Sequence, residues 1–341
     1  MTVLDVLVVG GGPVGLVAAV EARLAGLSVT VIEPRDEAID KACGEGLMPG
    51  ALPLLARLGV DPPGMPLRGV SYRQGSRVAD HRFASGEGRG VRRLALHAAL
   101  ADRAEALGVV RVAGRVDTVT QAADTVTAGG LTARWLLACD GLHSTVRRAT
   151  GLDVAVAHSG RRYGVRQHFE VAPWSDLIEV YWSRDVEAYV TPVSEGVTGI
   201  AVLGRQGTDF GAALESIPEL YERVADAAPA STLRGAGPFR QRARTPSAGR
   251  VLLVGDASGY VDAITGEGLR LGFEQARAAV ASIRSGDSAS YNAEWKRITR
   301  DFRVLTEGLV RAASSPARGA IVPLAHALPS VYGRIVERLA R

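Results

Sequence analysis

The chain has 341 residues, 47% hydrophobic and 22% charged, an ordinary balance for a soluble enzyme of one large or two interleaved domains. Its formal charge of +4 is nearly all arginine, since Lys41 and Lys296 are the only lysines, and no dense basic run marks a nucleic-acid surface. The uncharged run at 6–20 is too short and too broken by glycine and proline for a membrane span and lacks signal-peptide features, so a cytoplasmic enzyme is expected.

Residues 4–9 form a short, mostly apolar run of the kind buried on both faces of a parallel sheet. Gly10-Gly11-Gly12-Pro13-Val14-Gly15 follows at once, then an Ala/Val-rich helical segment ending at Gly26, and residues 28–33 read as a second strand. This is a βαβ unit. Gly10 allows a tight turn, Gly12 lets backbone approach a pyrophosphate, and Gly15 lets helix and strand pack closely. The helix start, with Pro13, offers free N–H groups and a positive dipole end to phosphates. Glu33, about 20 residues on, is placed to accept from ribose hydroxyls and would repel a 2′-phosphate. The fingerprint alone leaves FAD and NAD open.

Residues 131–138 read as a strand entering Cys139-Asp140-Gly141, with Asp140 or Ser144 as a helix N-cap. Segments within 68–89 and 160–205 alternate in polarity, for example Val165, Gln167 and Phe169 against Arg166, His168 and Glu170. Further strand-like runs cover 177–183, 188–193 and 196–203, with a turn at 194–196. Residues 250–254 form a strand leading to Gly255-Asp256, and Gly266-Glu267-Gly268-Leu269 opens a long helix. Residues 286–341 read as mostly helical and polar, with Pro316, Pro323 and Pro329 as breakers. Within them Arg334, Arg338 and Arg341 recur at helical spacing opposite Ile335, Val336 and Leu339. The expected reading is a solvated face on a packed helix, the alternative a basic amphipathic helix making weak peripheral contact with an anionic membrane. Cys43 and Cys139 lack metal-ligand spacing; no metal site is expected, and two free thiols are favoured over a disulfide.

The glycine fingerprint, the segment Asp140-Gly141-Leu142-His143-Ser144-Thr145-Val146-Arg147, and Gly255-Asp256 with Gly266-Glu267-Gly268 together resemble the FAD-dependent aromatic hydroxylases. On them the chain is identified as a member of the FAD-dependent monooxygenase superfamily, closest in motif detail to its geranylgeranyl reductase-like branch. The resemblance implies an α/β (α+β overall) fold: a Rossmann-like FAD-binding domain with an inserted, mostly antiparallel substrate sheet and C-terminal helices. The expected divisions are 1–67, 90–159 and 241–285 for the FAD domain, 68–89 and 160–240 for the substrate domain, and 286–341 for the helical segment.

The same resemblance implies FAD contacts for Gly10, Gly12, Pro13, Val14, Gly15, Glu33, Pro34 and Arg35. It places Asp140 and Gly141 near the pyrophosphate, with Arg147 ordering their loop. Asp256, after Gly255, would accept from the ribityl hydroxyls, and Gly266, Glu267, Gly268 and Leu269 would bring a helix N-terminus to the flavin pyrimidine edge. Cys43 and Gly44 would lie along the flavin, Arg93 near the phosphates, and Val116, on a strand after Gly114, against the adenine. Substrate candidates on the inserted sheet are Arg166, His168, Tyr181, Trp182 and Tyr189, some of which should face the flavin. No acid–base or nucleophile constellation competes for a catalytic role.

The implied activity is a monooxygenase using NADH or NADPH, visiting transiently, and O₂ on a small to medium apolar or aromatic compound. The alternative is an FAD-dependent alkene reductase. Gly259 stands where hydroxylases carry histidine, which favours the reductase branch, yet of that branch's aromatic sheet signature only Pro192 survives, with Tyr189 replacing tryptophan. A flavin halogenase is disfavoured because neither lysine has the catalytic setting. A non-enzymatic flavin- or NAD-binding module is the remaining alternative, and a colourless protein that takes up no FAD would end the flavin reading.

Overall fold

The computed structural model describes residues 3–156 and 161–341. The expected boundary at 159/160, and residues 1 and 2, lie outside the described residues.

A parallel sheet forms the centre of the cofactor half. Its order is Val251–Leu253, Leu131–Ala138, Leu4–Val9, Val29–Glu33, Val110–Ala113, every neighbouring pair parallel, with Ser247–Ala248 antiparallel at one edge. The apolar run Leu4–Val9 is central because both its faces have something to cover them. Val6 and Val8 pack toward the helices Pro13–Leu24 and Gly268–Ser285, through Leu16, Val17 and Phe273. Leu7 and Val9 point the other way, into a cluster with Ile32, Val116, Val126 and Leu136. That side is covered by the hairpin Val119–Gln121/Val126–Ala128, which pairs onto Leu131–Ala138.

The inserted sheet runs Arg234–Ala236, Arg162–Phe169, Val197–Arg205, Glu187–Ser194, Leu177–Trp182, Gly69–Gln74, Arg77–Arg82. All pairs are antiparallel except Leu177–Trp182 with Gly69–Gln74. One face is buried under the short helices Phe210–Glu215 and Pro218–Val224. The other packs on the C-terminal helices through Trp182, Val322, Ala325, Tyr332 and Val336. Gly88–Gly90, which straddles the expected division at 89/90, pairs with Gly46–Leu47 and Met65–Leu67 in a separate three-stranded sheet.

The C-terminal segment forms the helices Ser288–Ala313, Ile321–Ala327 and Pro329–Ala340, with a 3₁₀ turn at Pro316–Ala320. Pro316 and Pro329 stand at breaks between these elements, as expected, whereas Pro323 lies inside one. Pro316 and Pro329 begin their elements and Pro323 sits in a first turn, where a missing N–H costs no helical bond. The expected burial of the last helix also changes: Val336 and Gly333 face inward, whereas Ile335 is exposed beside Arg334 and Arg338. No described helix is long and apolar enough to cross a membrane.

Candidate active site

Parallel strands direct their carboxyl ends to one edge, and four of the sequence segments arrive there together. Gly10 follows Leu4–Val9 and donates to the Ile32 carbonyl at 2.8 Å; Cys139 donates to Val9 at 2.8 Å; Val254 donates to Ala138 at 2.9 Å. The resulting cleft lies at the end of an open α/β sheet where ligands are generally held. Two glycines show why no other residue fits or what the opening is for. A Cβ on Gly15 would overlap the Gly10 carbonyl, so helix and strand touch there. A Cβ on Gly12 would meet nothing within 4 Å, leaving the start of the helix open.

Glu33 is buried, accepting from the Gly11 N–H at 2.8 Å through Oε2 and from Arg35 Nε at 2.8 Å through Oε1. Val14 packs toward Gly255 and Gly272, whereas Pro34 stays exposed. His97 reaches in from the helix Arg93–Ala106, its Nε2 at 3.0 Å from the Gly11 carbonyl. Burial lowers its proton affinity, and no motif in the sequence marks it.

Ser144, not Asp140, caps the short helix Thr145–Ala149, accepting from Arg147 N at 2.9 Å. Asp140 Oδ2 accepts from Val146 N and Thr145 Oγ1, both at 3.1 Å, while Oδ1 is buried with no partner. Arg147 is fully buried and does order its surroundings, donating to the carbonyls of Leu142 and Ala257 and to the side chains of Gln241 and Asp153. Val116 lies in the irregular stretch 114–118, not on a strand, because its carbonyl is engaged by Thr145 Oγ1 at 3.0 Å.

In the third segment, Gly255 donates to Gln275 Oε1 at 2.8 Å, pinning the turn to the helix Gly268–Ser285. Burial pushes the Asp256 carboxyl up, and the positive charges of Lys41, Arg93 and Arg147 pull it back. Lys41 is desolvated in turn, which lowers its proton affinity, and a Cβ on Gly141 would lie 3.3 Å from its Nζ. Lys41, which opens the segment that carries Cys43 and Gly44, therefore stands in the cleft. Gly266 holds φ of 72° and opens onto free space, and Gly268 comes near Asp256 and the Tyr260 ring. Glu267 is buried, with Arg270 Nε at 2.5 Å from Oε2 and Oε1 unpartnered; burial pushes it up to about 7. Leu269 packs against the core beside it.

The inserted sheet meets this cleft through the segment 41–47. Thr191 Oγ1 donates to the Gly44 carbonyl at 2.8 Å, and Cys43 Sγ accepts from Glu45 N at 3.4 Å. Strand register divides the five substrate candidates. Arg166 pairs with Ala201, His168 with Gly199, Tyr189 with both Ala201 and Val180, and Trp182 with Glu187, which puts all four on the cleft-side face. Tyr181 pairs with Ala188 and points away, packed in the opposite core with its hydroxyl on Glu179. Arg166 and His168 are themselves buried: Arg166 binds Asp40, and His168 Nε2 lies 2.5 Å from Glu45 Oε2. Glu45 carries no sequence signal for this role, because its partner His168 lies 123 residues further along the chain.

The cleft fits a flavin dinucleotide on its own features. It has open space at Gly12, Gly44 and Gly266, unpaired buried atoms at Asp140 Oδ1 and Arg93 Nε, and cations at Lys41 and Arg93 for phosphate charge. The model of the FAD binding domain family matches residues 3–284. The chain belongs to that family. It is 26% identical to the menaquinone reductase of Mycolicibacterium smegmatis, over 87% of this chain and 80% of that protein. It is 28% identical to the rifampicin monooxygenase of Streptomyces venezuelae, over 80% of this chain and 62% of that one. A flavoprotein/dehydrogenase from Cytophaga hutchinsonii shares the fold with a TM-score of 0.86 at 19% identity, over 99% of this chain and 93% of that one. This FAD-binding family member thus has the α/β architecture expected, a Rossmann-like sheet joined to a second, substrate-type sheet.

Proposed function

We propose that this FAD oxidoreductase is a monooxygenase that uses NADH or NADPH and O₂ to hydroxylate or epoxidise a neutral, apolar or aromatic substrate. One observation carries the reading. The face of the inserted sheet turned toward the cleft and the C-terminal helices is apolar and aromatic, with Ile178, Val180, Trp182 and Tyr189 beside Tyr72, Tyr260 and Ile264. Its buried charges are paired with one another, although Arg166 Nε and Arg318 Nη2 keep no hydrogen-bond partner. Arg162 binds Glu187 and Asp262, Arg318 binds Glu187, Arg166 binds Asp40, and His168 meets Glu45. Such a surface excludes water and offers no free countercharge to an ionic substrate.

In this reading the backbone of Gly10–Gly15 and the helix end at Pro13 bind the pyrophosphate, with Arg93 and Lys41 balancing its charge. Glu33 and Arg35 hold the adenosine ribose, Val116 backs the adenine, and Asp140 and Gly141 line the phosphates. Asp256 accepts from the ribityl chain, Cys43 and Gly44 flank the ring, and the helix beginning at Gly268 faces its pyrimidine edge. Bound FAD supplies the two-electron chemistry that no side chain here can perform. Tyr189 orients the substrate, Trp182 being packed under the C-terminal helices, and Arg166 and His168 hold the sheet against segment 41–47.

A second reading, reduction of a carbon–carbon double bond, is supported by similarity to a menaquinone reductase. One experiment separates the two. The purified protein, loaded with FAD and NADPH, is offered neutral aromatic and isoprenoid compounds with and without O₂, and products are weighed. Products gaining one oxygen only in air support monooxygenation. Products gaining two hydrogens without O₂ overturn it in favour of reduction.

A further inference from the structure

The two last helices carry an apolar strip on their outer side. Leu324 is 57% exposed, Leu328 49%, Val331 40% and Ile335 42%. Leu324 and Leu328 are one turn apart at the end of Ile321–Ala327, and Leu328, Val331 and Ile335 follow the solvent face of Pro329–Ala340. Arg334 and Arg338 lie on the same solvent side, next to Ile335 at helical spacing. The inward side is spoken for: Tyr332, Val336 and Ala325 pack on the inserted sheet, and the Tyr332 ring lies 5.0 Å from Tyr72. The strip is thus not a face waiting for the protein's own core.

Charge says what covers it. Along the last helix Arg334, Arg338 and Arg341 are exposed, with Arg338 reaching Asp301, against one carboxylate, Glu337, which is occupied by His81 and the Ala84 N–H. Exposed leucine, valine and isoleucine edged by arginine match an anionic lipid surface, in which apolar side chains enter the acyl boundary and guanidinium groups meet headgroups. We propose that the outer face of the helices Ile321–Ala327 and Pro329–Ala340 docks on anionic membranes. The same helices pack on the aromatic face of the inserted sheet. The docking itself is independent of which reaction the cleft performs.

The test is cosedimentation of the full chain with vesicles of phosphatidylglycerol or of phosphatidylcholine, at low and at high salt. Binding to phosphatidylglycerol at low salt is expected, weaker in high salt and at least about tenfold weaker on phosphatidylcholine. The triple variant Leu328→Ser/Val331→Ser/Ile335→Ser should lose about tenfold or more, and Arg334→Ser about fivefold. Arg297→Ser, on an exposed helix elsewhere, should bind like the parent. Because every substituted residue is exposed, unchanged thermal melting confirms that the variants fold. Absence of binding to phosphatidylglycerol, or equal binding by the triple variant, overturns the proposal. A parent dimer that the triple variant converts to monomer also overturns it, since a second copy would then cover the strip.

Discussion

His168 Nε2 lies 2.5 Å from Glu45 Oε2, and this contact joins the inserted sheet to the segment that lines the cleft. Glu45 Oε1 accepts from the Arg93 N–H at 2.8 Å. Its φ of 57° is the one positive value at a non-glycine residue among those described. A left-handed backbone there costs about 1–2 kcal/mol, which the buried carboxylate's bonds offset. Glu45→Ala should therefore lower unfolding free energy by roughly 3–5 kcal/mol, the range for removing one partner of a buried pair. Urea denaturation of the parent, Glu45→Ala and Glu45→Gln measures this, with the glutamine variant falling between.

The two glycines of the first turn should fail in different ways. Gly15→Ala drives a methyl into the Gly10 carbonyl and should prevent stable folding. Gly12→Ala meets open space and a φ of −69° that alanine adopts freely, so the apoprotein should melt normally. Its methyl would stand where a pyrophosphate must approach, and FAD affinity should fall at least about tenfold. Melting curves and flavin titration of both variants check the contrast.

Asp256→Ala should weaken FAD binding about ten- to a hundredfold, the worth of hydrogen bonds to a charged acceptor. Glu33→Gln should weaken it less, because an amide oxygen still accepts while charge assistance is lost. Dissociation constants from fluorescence quenching rank the two; a larger loss at Glu33 would reverse their assigned importance.

Glu267 gives the apoprotein a pH signature. Its carboxyl titrates near 4.5 when free and is pushed up to about 7 by burial in the fold. The folded state therefore holds its proton more tightly, and this contribution to stability is complete below about pH 4.5 and lost as pH rises through 7. The loss is of order 3 kcal/mol. Melting temperature from pH 5 to 8 should fall more steeply for the parent than for Glu267→Gln, which carries no titrating group there.

Much of this architecture is legible because its signals are local. The strand Leu131–Ala138 reads to the residue, and the glycine turn with Glu33 identifies the βαβ unit. What escapes depends on distant partners. Alternation in Arg162–Phe169 is visible, but not that the polar side is the buried one, since Asp40 and Glu45 arrive from far earlier in the chain. Tyr181 cannot be told from Trp182 until the register with Ala188 and Glu187 fixes their opposite faces. His97 has no motif of its own, and only folding brings it to the cleft.

Arg147 carries a consequence for how the cleft is born. Its guanidinium is fully buried and depends on the Ala257 carbonyl, 110 residues further along, as well as on Gln241. While the chain emerges from the ribosome, the first glycine turn and Glu33 are complete long before that carbonyl exists. The buried cation has no acceptable home until residue 257 returns to it, a closure whose entropy grows only slowly with loop length but delays folding of everything it holds. The cleft is therefore complete only once residue 257, about three-quarters of the way along the chain, has joined it.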